Sequence, residues 1–145
     1  MDMGHWTSTP PLTSDVMPYG FVYLITNLSS NKKYIGKKQI LTVRKRAPLK
    51  GRRNKRHEVV ETDWRSYTSS SAELNEDIKI LGINMFKFEI LRWCSSRAEM
   101  GYYEAKEQFD RDVLLSEDYY NGIINLRISR FTPGRSSINI KNEHT

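Results

Sequence analysis

The chain has 145 residues, 38% of them hydrophobic, a net charge of +6 and a mean hydropathy of −0.64. That length suits one domain with a sizeable core, and no apolar run approaches the roughly 18 residues of a membrane span. The single cysteine, Cys94, excludes an internal disulfide, and no Cys/His set has zinc-ligand spacing. Residues 1–18 carry Pro10, Pro11 and Pro18 among several Ser and Thr, with neither a basic start nor an apolar stretch. They read as a flexible leader rather than a secretory signal, and the expected location is cytoplasmic.

The first strong signal lies at 20–38. Two runs of β-branched and aromatic residues, containing Phe21-Val22-Tyr23 and Tyr34-Ile35-Gly36, flank the turn-forming Asn and Ser residues of 27–31. A β-hairpin over 20–26 and 33–38 is the expectation. The basic stretch that follows, containing Pro48 and Gly51, reads as a loop or broken helix. The Ser/Thr-rich stretch 61–71 then offers helix-capping groups, and from Ser71 on the apolar residues Ala72, Leu74, Ile78 and Leu81 have helical spacing and stop at Gly82. The run from Met85 to Trp93 alternates as a third strand, with Phe86, Phe88, Ile90 and Arg92 on one face. A long helix is expected from Ser96 to Leu115, opened by the Ser96/Glu99 capping-box pattern. The order hairpin, helix, strand, helix predicts an α+β domain over 19–125, and an irregular tail over 126–145.

Charge is placed unevenly. Eight of the 23 basic residues (Arg44, Lys45, Arg46, Lys50, Arg52, Arg53, Lys55 and Arg56) fall within 44–56, where there is no acid. The rest of the chain is slightly acidic. Such a cluster attracts polyphosphate by counterion release, although like-charge blocks are also often solvated loops.

Tyr23 and Tyr34-Ile35-Gly36 resemble the signature of the GIY-YIG nuclease superfamily, and later markers follow in the same order. Trp64-x-x-Tyr67 precedes Ser69-Ser70-Ser71, Glu104 lies on the last helix, and Tyr120-Asn121 follows it. The resemblance covers about 20–125. Phe21 stands where that motif has its glycine, and Pro48 where homing-type members often have a histidine; His57 is the nearby substitute. The resemblance implies a three-stranded antiparallel sheet flanked by helices, with residues 44–57 as a basic insertion. It also implies hydrolysis of phosphodiester bonds in double-stranded DNA by a metal-dependent, homing-type endonuclease, at home in a phage-infected bacterial cell.

In that scheme Tyr23 is the base, Tyr34 supports it or positions water, and Asn121 hydrogen-bonds near the site. Arg44 binds the scissile phosphate, with Lys45 and Arg46 as rivals for that role. Glu104 holds Mg2+ or Mn2+, with Glu107 one helical turn away as the alternative ligand. Lys37, Lys38, Lys45, Arg46, Arg52, Arg53, Lys55 and Arg56 would contact DNA. A phenol of ordinary pKa near 10 serves as a base only with a cation beside it. The expected partner is duplex DNA, with no membrane. The competing readings are a DNA-binding module on the same fold without catalysis, and an RNA-binding protein using Trp64 and Tyr67 as stacking platforms.

Overall fold

Asn27 makes the first reversal. Its Oδ1 accepts hydrogen bonds from the Ser29 and Ser30 amides at 2.9 and 3.3 Å, while Asn31 adopts a left-handed φ of 62°. Asparagine tolerates that region better than most residues with a Cβ. In the computed structural model, which describes residues 1–12 and 16–136, this turn joins β2 (Gly20–Asn27) to β3 (Lys33–Gln39). The other strands are β1 (Trp6–Ser8), β4 (Leu41–Arg46), β5 (Arg56–Glu61) and β6 (Phe86–Cys94). Two α-helices, α1 (Ala72–Leu81) and α2 (Arg97–Asp110), complete the framework.

The main sheet has the order β1-β6-β2-β3. Its β6-β2-β3 portion is the expected three-stranded antiparallel sheet, but β1 adds a fourth strand parallel to β6. The flexible-leader expectation therefore does not hold for residues 6–8. Trp6 is buried, donates its indole N–H to the Trp64 carbonyl at 2.7 Å, and packs against Phe21, Tyr23 and Phe88. Burying one large aromatic ring against three others anchors a very short strand that local propensity would not. Residues 13–15 of the leader and 137–145 of the tail lie outside the described residues.

Two cores sandwich the sheet. One face carries Trp6, Phe21, Tyr23, Ile25, Phe88 and Ile90, covered by Trp64 and by Leu74 of α1. The other carries Val22, Leu24, Ile35 and Cys94 against Met100 of α2 and Val113. A register shift between Val22 and Tyr23 in the β2–β6 pairing corrects one expectation. The bulge sends Arg92 away from the face of Phe86, Phe88 and Ile90, so that its guanidinium lies 4.0 Å from the centre of the Tyr103 ring on α2.

The basic stretch is a loop over 47–55, as expected, but its ends lie on two strands that the loop joins. β4 and β5 pair as an antiparallel hairpin in register Val43↔Val59 and Thr42↔Val60, a β-branched ladder beneath the charged end. Ile40, fully buried, joins this arm to β3. The last helix also ends earlier than expected, at Asp110; Asp112 turns left-handed (φ 50°) into a 3-10 turn at Val113–Leu115. Ser96 caps α2 as its capping-box pattern implies, and Ser71 is the residue of the 61–71 stretch that caps α1. Ser71 accepts from the Leu74 amide at 3.2 Å, and Ser96 from the Glu99 amide at 3.1 Å.

Candidate active site

Tyr23 and Gly36 face each other across the β2–β3 ladder. The Tyr23 ring lies over Gly36, so a Cβ there would overlap the Tyr23 hydroxyl, come within 2.6 Å of its Cζ and within 2.9 Å of Tyr34 Cε2. That explains why the second motif closes on glycine: the missing side chain is the space two phenols occupy. The rings of Tyr23 and Tyr34 are 6.2 Å apart, and Tyr67 sets its ring edge-on to Tyr23 at 6.3 Å. Hydroxyl contacts run from Tyr23 to Tyr67, from Tyr67 to Ser70, and from Ser70 to Tyr34 at 3.2 Å. Tyr23, only 1% exposed, is the buried end of this chain, and the half-buried Tyr34 is its open end.

Burial pushes the Tyr23 phenol well above 10, and the neighbouring Tyr34, Tyr67 and Glu104 push the same way. Burial also raises Tyr34, partly offset by Ser70. Both phenols therefore keep their protons in the free protein. Among the described residues, none of the groups that shift the Tyr23 phenol is a cation. Lys38 lies 4.1 Å from the centre of the Tyr67 ring, held there by Asp63 at 2.9 Å.

Glu104 comes from α2. Its side chain is 17% exposed, and burial raises its carboxyl above the usual range against the opposing pull of Lys37. The Lys37 ammonium is 3.7 Å away, close enough for an ion pair but too long for a good hydrogen bond. Glu104 also lies near enough to Tyr23 and Tyr34 for its charge to raise both phenols. Glu107 has other company: Arg111 at 3.3 Å and Arg92 at 3.8 Å. Of the two candidate carboxylates, Glu104 is the one beside the tyrosines, and Glu107 is spoken for by two guanidiniums.

The remaining predicted residues divide. Asn121 grips the Ile35 peptide on the outer side of β3, its Oδ1 accepting from Ile35 N at 3.0 Å and its Nδ2 donating to Ile35 O at 2.8 Å. It acts through the strand, fixing the backbone between Tyr34 and Gly36. Arg44 is exposed on β4 opposite Glu58, with Lys45 and Arg46 after it, and Arg46 pairs with Glu58 at 2.5 Å. These three, with Arg52, Arg53, Lys55 and Arg56, belong to the projecting arm rather than to the tyrosine cluster. His57 is exposed there too. Trp64 is fully buried and cannot stack on a base.

The structure adds Tyr67, Ser70 and Asp63 to the tyrosine cluster, beyond the residues that the sequence assigns a part in the chemistry. Tyr67 and Ser70 stood within the Trp-Tyr and Ser-Ser stretch, which was the available signal. Among the described residues no group of three His, Cys, Asp or Glu side chains is placed to hold a metal. Cys94 is no nucleophile, because burial pushes its thiol up to about 12.

Residues 6–124 match the family model described as "Putative endonuclease segE, GIY-YIG domain". The match begins at β1 and ends after Asn121, so it takes in every element of the tyrosine cluster. No match to the chain was found among the curated proteins or among the solved structures. With this match over most of its length and the motif tyrosines packed together over Gly36, the chain belongs to the GIY-YIG endonuclease family.

Proposed function

We propose that the protein is a metal-dependent endonuclease that hydrolyses phosphodiester bonds in double-stranded DNA, of the homing type, working in the cytoplasm of a phage-infected bacterium. The observation that carries this reading is the pairing of Tyr23 and Tyr34 over Gly36, with a desolvated Glu104 close enough for its charge to raise both phenols. A non-catalytic DNA-binding module has no need of a carboxylate kept out of water beside two phenols, and burying one without purpose costs stability.

Glu104 suits a hard divalent ion that keeps most of its waters, since Mg2+ is commonly held by one or two carboxylates plus substrate phosphate. Its carboxyl is raised by burial and only loosely countered by Lys37, so a cation there meets an incompletely compensated charge. The Tyr34 hydroxyl, at the open end of the chain through Ser70, offers a neutral oxygen on a phenol that the Glu104 charge reaches. Bound at Glu104, Mg2+ or Mn2+ would stabilise the charge that develops on the phosphorane and the leaving 3′-oxygen.

The chain's own groups do the rest. Tyr34 orients the attacking water through a hydroxyl fixed by Ser70. Lys37 would supply positive charge at the phosphate and, held to Glu104 only at 3.7 Å, would leave that carboxylate open to a cation. Tyr23 holds its proton in the free protein; it would serve as the base only as phenolate, after releasing that proton to solvent, a form that positive charge nearby would favour, and it would then take the proton of the attacking water. The arm bearing Arg44, Lys45, Arg46, Arg52, Arg53, Lys55 and Arg56 neutralises backbone phosphates along the duplex. Incubating supercoiled plasmid with the protein in Mg2+ or in EDTA tests the proposal. Nicked or linear product that requires Mg2+ supports it, and intact plasmid under all metal conditions contradicts it.

A further inference from the structure

On the α2 side of the sheet, a cavity of about 800 Å3 opens between the first turns of α2 and the segment that follows Asn121. Its lining includes Lys37, Arg97, Arg127, Arg130 and Arg135 and, among the described residues, no Asp or Glu. Five cations with no acid among the described lining residues is not how a solvated surface is usually built, where opposite charges intersperse. The nearby Glu99 is already used: its Oε2 accepts from the Ser95 and Gly134 amides, each at 3.3 Å.

The three arginines beyond residue 125 are carried by a segment tied down at two points. Phe131 packs its ring on Tyr102 and Tyr103 at 5.4 and 6.0 Å, and Gly134 is held by Glu99. The segment is thereby fixed against α2, which lessens the ordering cost of binding. Gly101 lies in the cavity wall, where a Cβ would come 3.9 Å from Lys37 Nζ and 3.8 Å from the Arg127 carbonyl. A glycine inside a helix costs roughly 1 kcal/mol against alanine, and here it leaves the cavity floor bare. Lys37 joins the two sites, lining the cavity while its ammonium lies 3.7 Å from Glu104.

We propose that this cavity is a second phosphate site, which holds the backbone of the DNA strand running on from the cleavage position at Glu104. The inference rests on the nuclease reading and deepens it. The basic arm grips the duplex on one side of the tyrosine cluster, and Lys37, Arg97, Arg127, Arg130 and Arg135 grip it on the other, so the cleavage site is held between two cationic surfaces. Guanidiniums suit this work because their forked donors match phosphate oxygens.

The test compares the wild-type chain with the triple variant Arg127→Gln, Arg130→Gln, Arg135→Gln, and with the same three positions changed to Lys. A labelled duplex is titrated in EDTA over a salt series, so that binding is read without cleavage. All three arginines are exposed, so melting of both variants should match the wild type. With each phosphate contact worth about 0.9 in the slope of log K against log salt, the Gln variant should lose roughly two to three units of slope and about tenfold or more in affinity. The Lys variant should keep the slope. A wild-type slope in a folded Gln variant, or an equal loss in the Lys variant, overturns the phosphate site while the nuclease reading stands. Failure of the wild-type chain to bind any duplex overturns both.

Discussion

Gly36 decides whether the tyrosine pair can exist, because both rings occupy the space its side chain would take. Gly36→Ala should destabilise the domain by about 1–3 kcal/mol through overpacking and should displace both phenols. A lowered melting temperature together with lost activity would support this, and an unchanged Tm would show that the rings are free to move aside. Glu104 carries a sign that can be checked by pH. Its carboxyl is raised in the folded protein, mainly by burial, so the native state binds the extra proton and stability falls as pH rises from the unfolded carboxylate range of about 4.3. Glu104→Gln mimics the protonated form. Denaturant unfolding should therefore find the variant more stable than wild type at neutral pH, with the gap closing at acid pH; a gap that widens toward acid would contradict the burial argument. Tyr23→Phe removes one buried hydroxyl, costing about 1 kcal/mol for its bond to Tyr67, while turnover should fall by a factor on the order of 100 if the phenol handles a proton. Normal turnover in Tyr23→Phe would make that residue a packing group.

The elements differ in how openly the sequence announced them. The β2–β3 hairpin and both helix starts were legible because Asn27, Ser71 and Ser96 each satisfy backbone donors locally, and local chemistry can be read from neighbouring letters. β1 was not legible: three residues near several prolines carry no periodic signal, and only the burial of Trp6 makes them a strand. The β4–β5 arm was hidden because Thr42-Val43 and Val59-Val60, which pair across it, are two short apolar runs far apart in the sequence with a charged loop between them. The turn of Arg92 onto the α2 face came from a bulge, which depends on how two strands meet. At this scale Asn121 makes a clear prediction. Asn121→Ala removes both hydrogen bonds to Ile35, a cost of about 1–3 kcal/mol, and native-state hydrogen exchange should show the Ile35 amide opening faster. Unchanged protection there would mean that Asn121 does not hold the strand.

Across the whole molecule, the site belongs to a sheet edge rather than to any one element. Tyr23 and Tyr34 come from the hairpin, Tyr67 and Ser70 from the irregular segment before α1, and Glu104 and Lys37 from the α2 side. The sequence revealed the tyrosines and the carboxylate through the family pattern, but it left Glu104 and Glu107 as alternatives. Only the packing of α2 separates them, turning Glu107 onto Arg92 and Arg111 and Glu104 toward Tyr34. The placing of positive charge also emerges at this scale, since the arm at 44–56 is local in sequence whereas the α2-side cavity gathers Lys37, Arg97, Arg127, Arg130 and Arg135 from three segments. Reversing Arg52, Arg53, Lys55 and Arg56 to Glu should flatten the salt dependence of duplex binding with the fold intact; an unchanged slope would remove the arm from the interface. The central claim, that Glu104 beside the paired tyrosines is the carboxylate on which hydrolysis depends, is tested most directly by plasmid cleavage in Mg2+ with Glu104→Gln and Glu107→Gln side by side. The account predicts that Glu104→Gln still binds duplex DNA but cuts none, while Glu107→Gln cuts; cleavage at the parent rate by Glu104→Gln would contradict it.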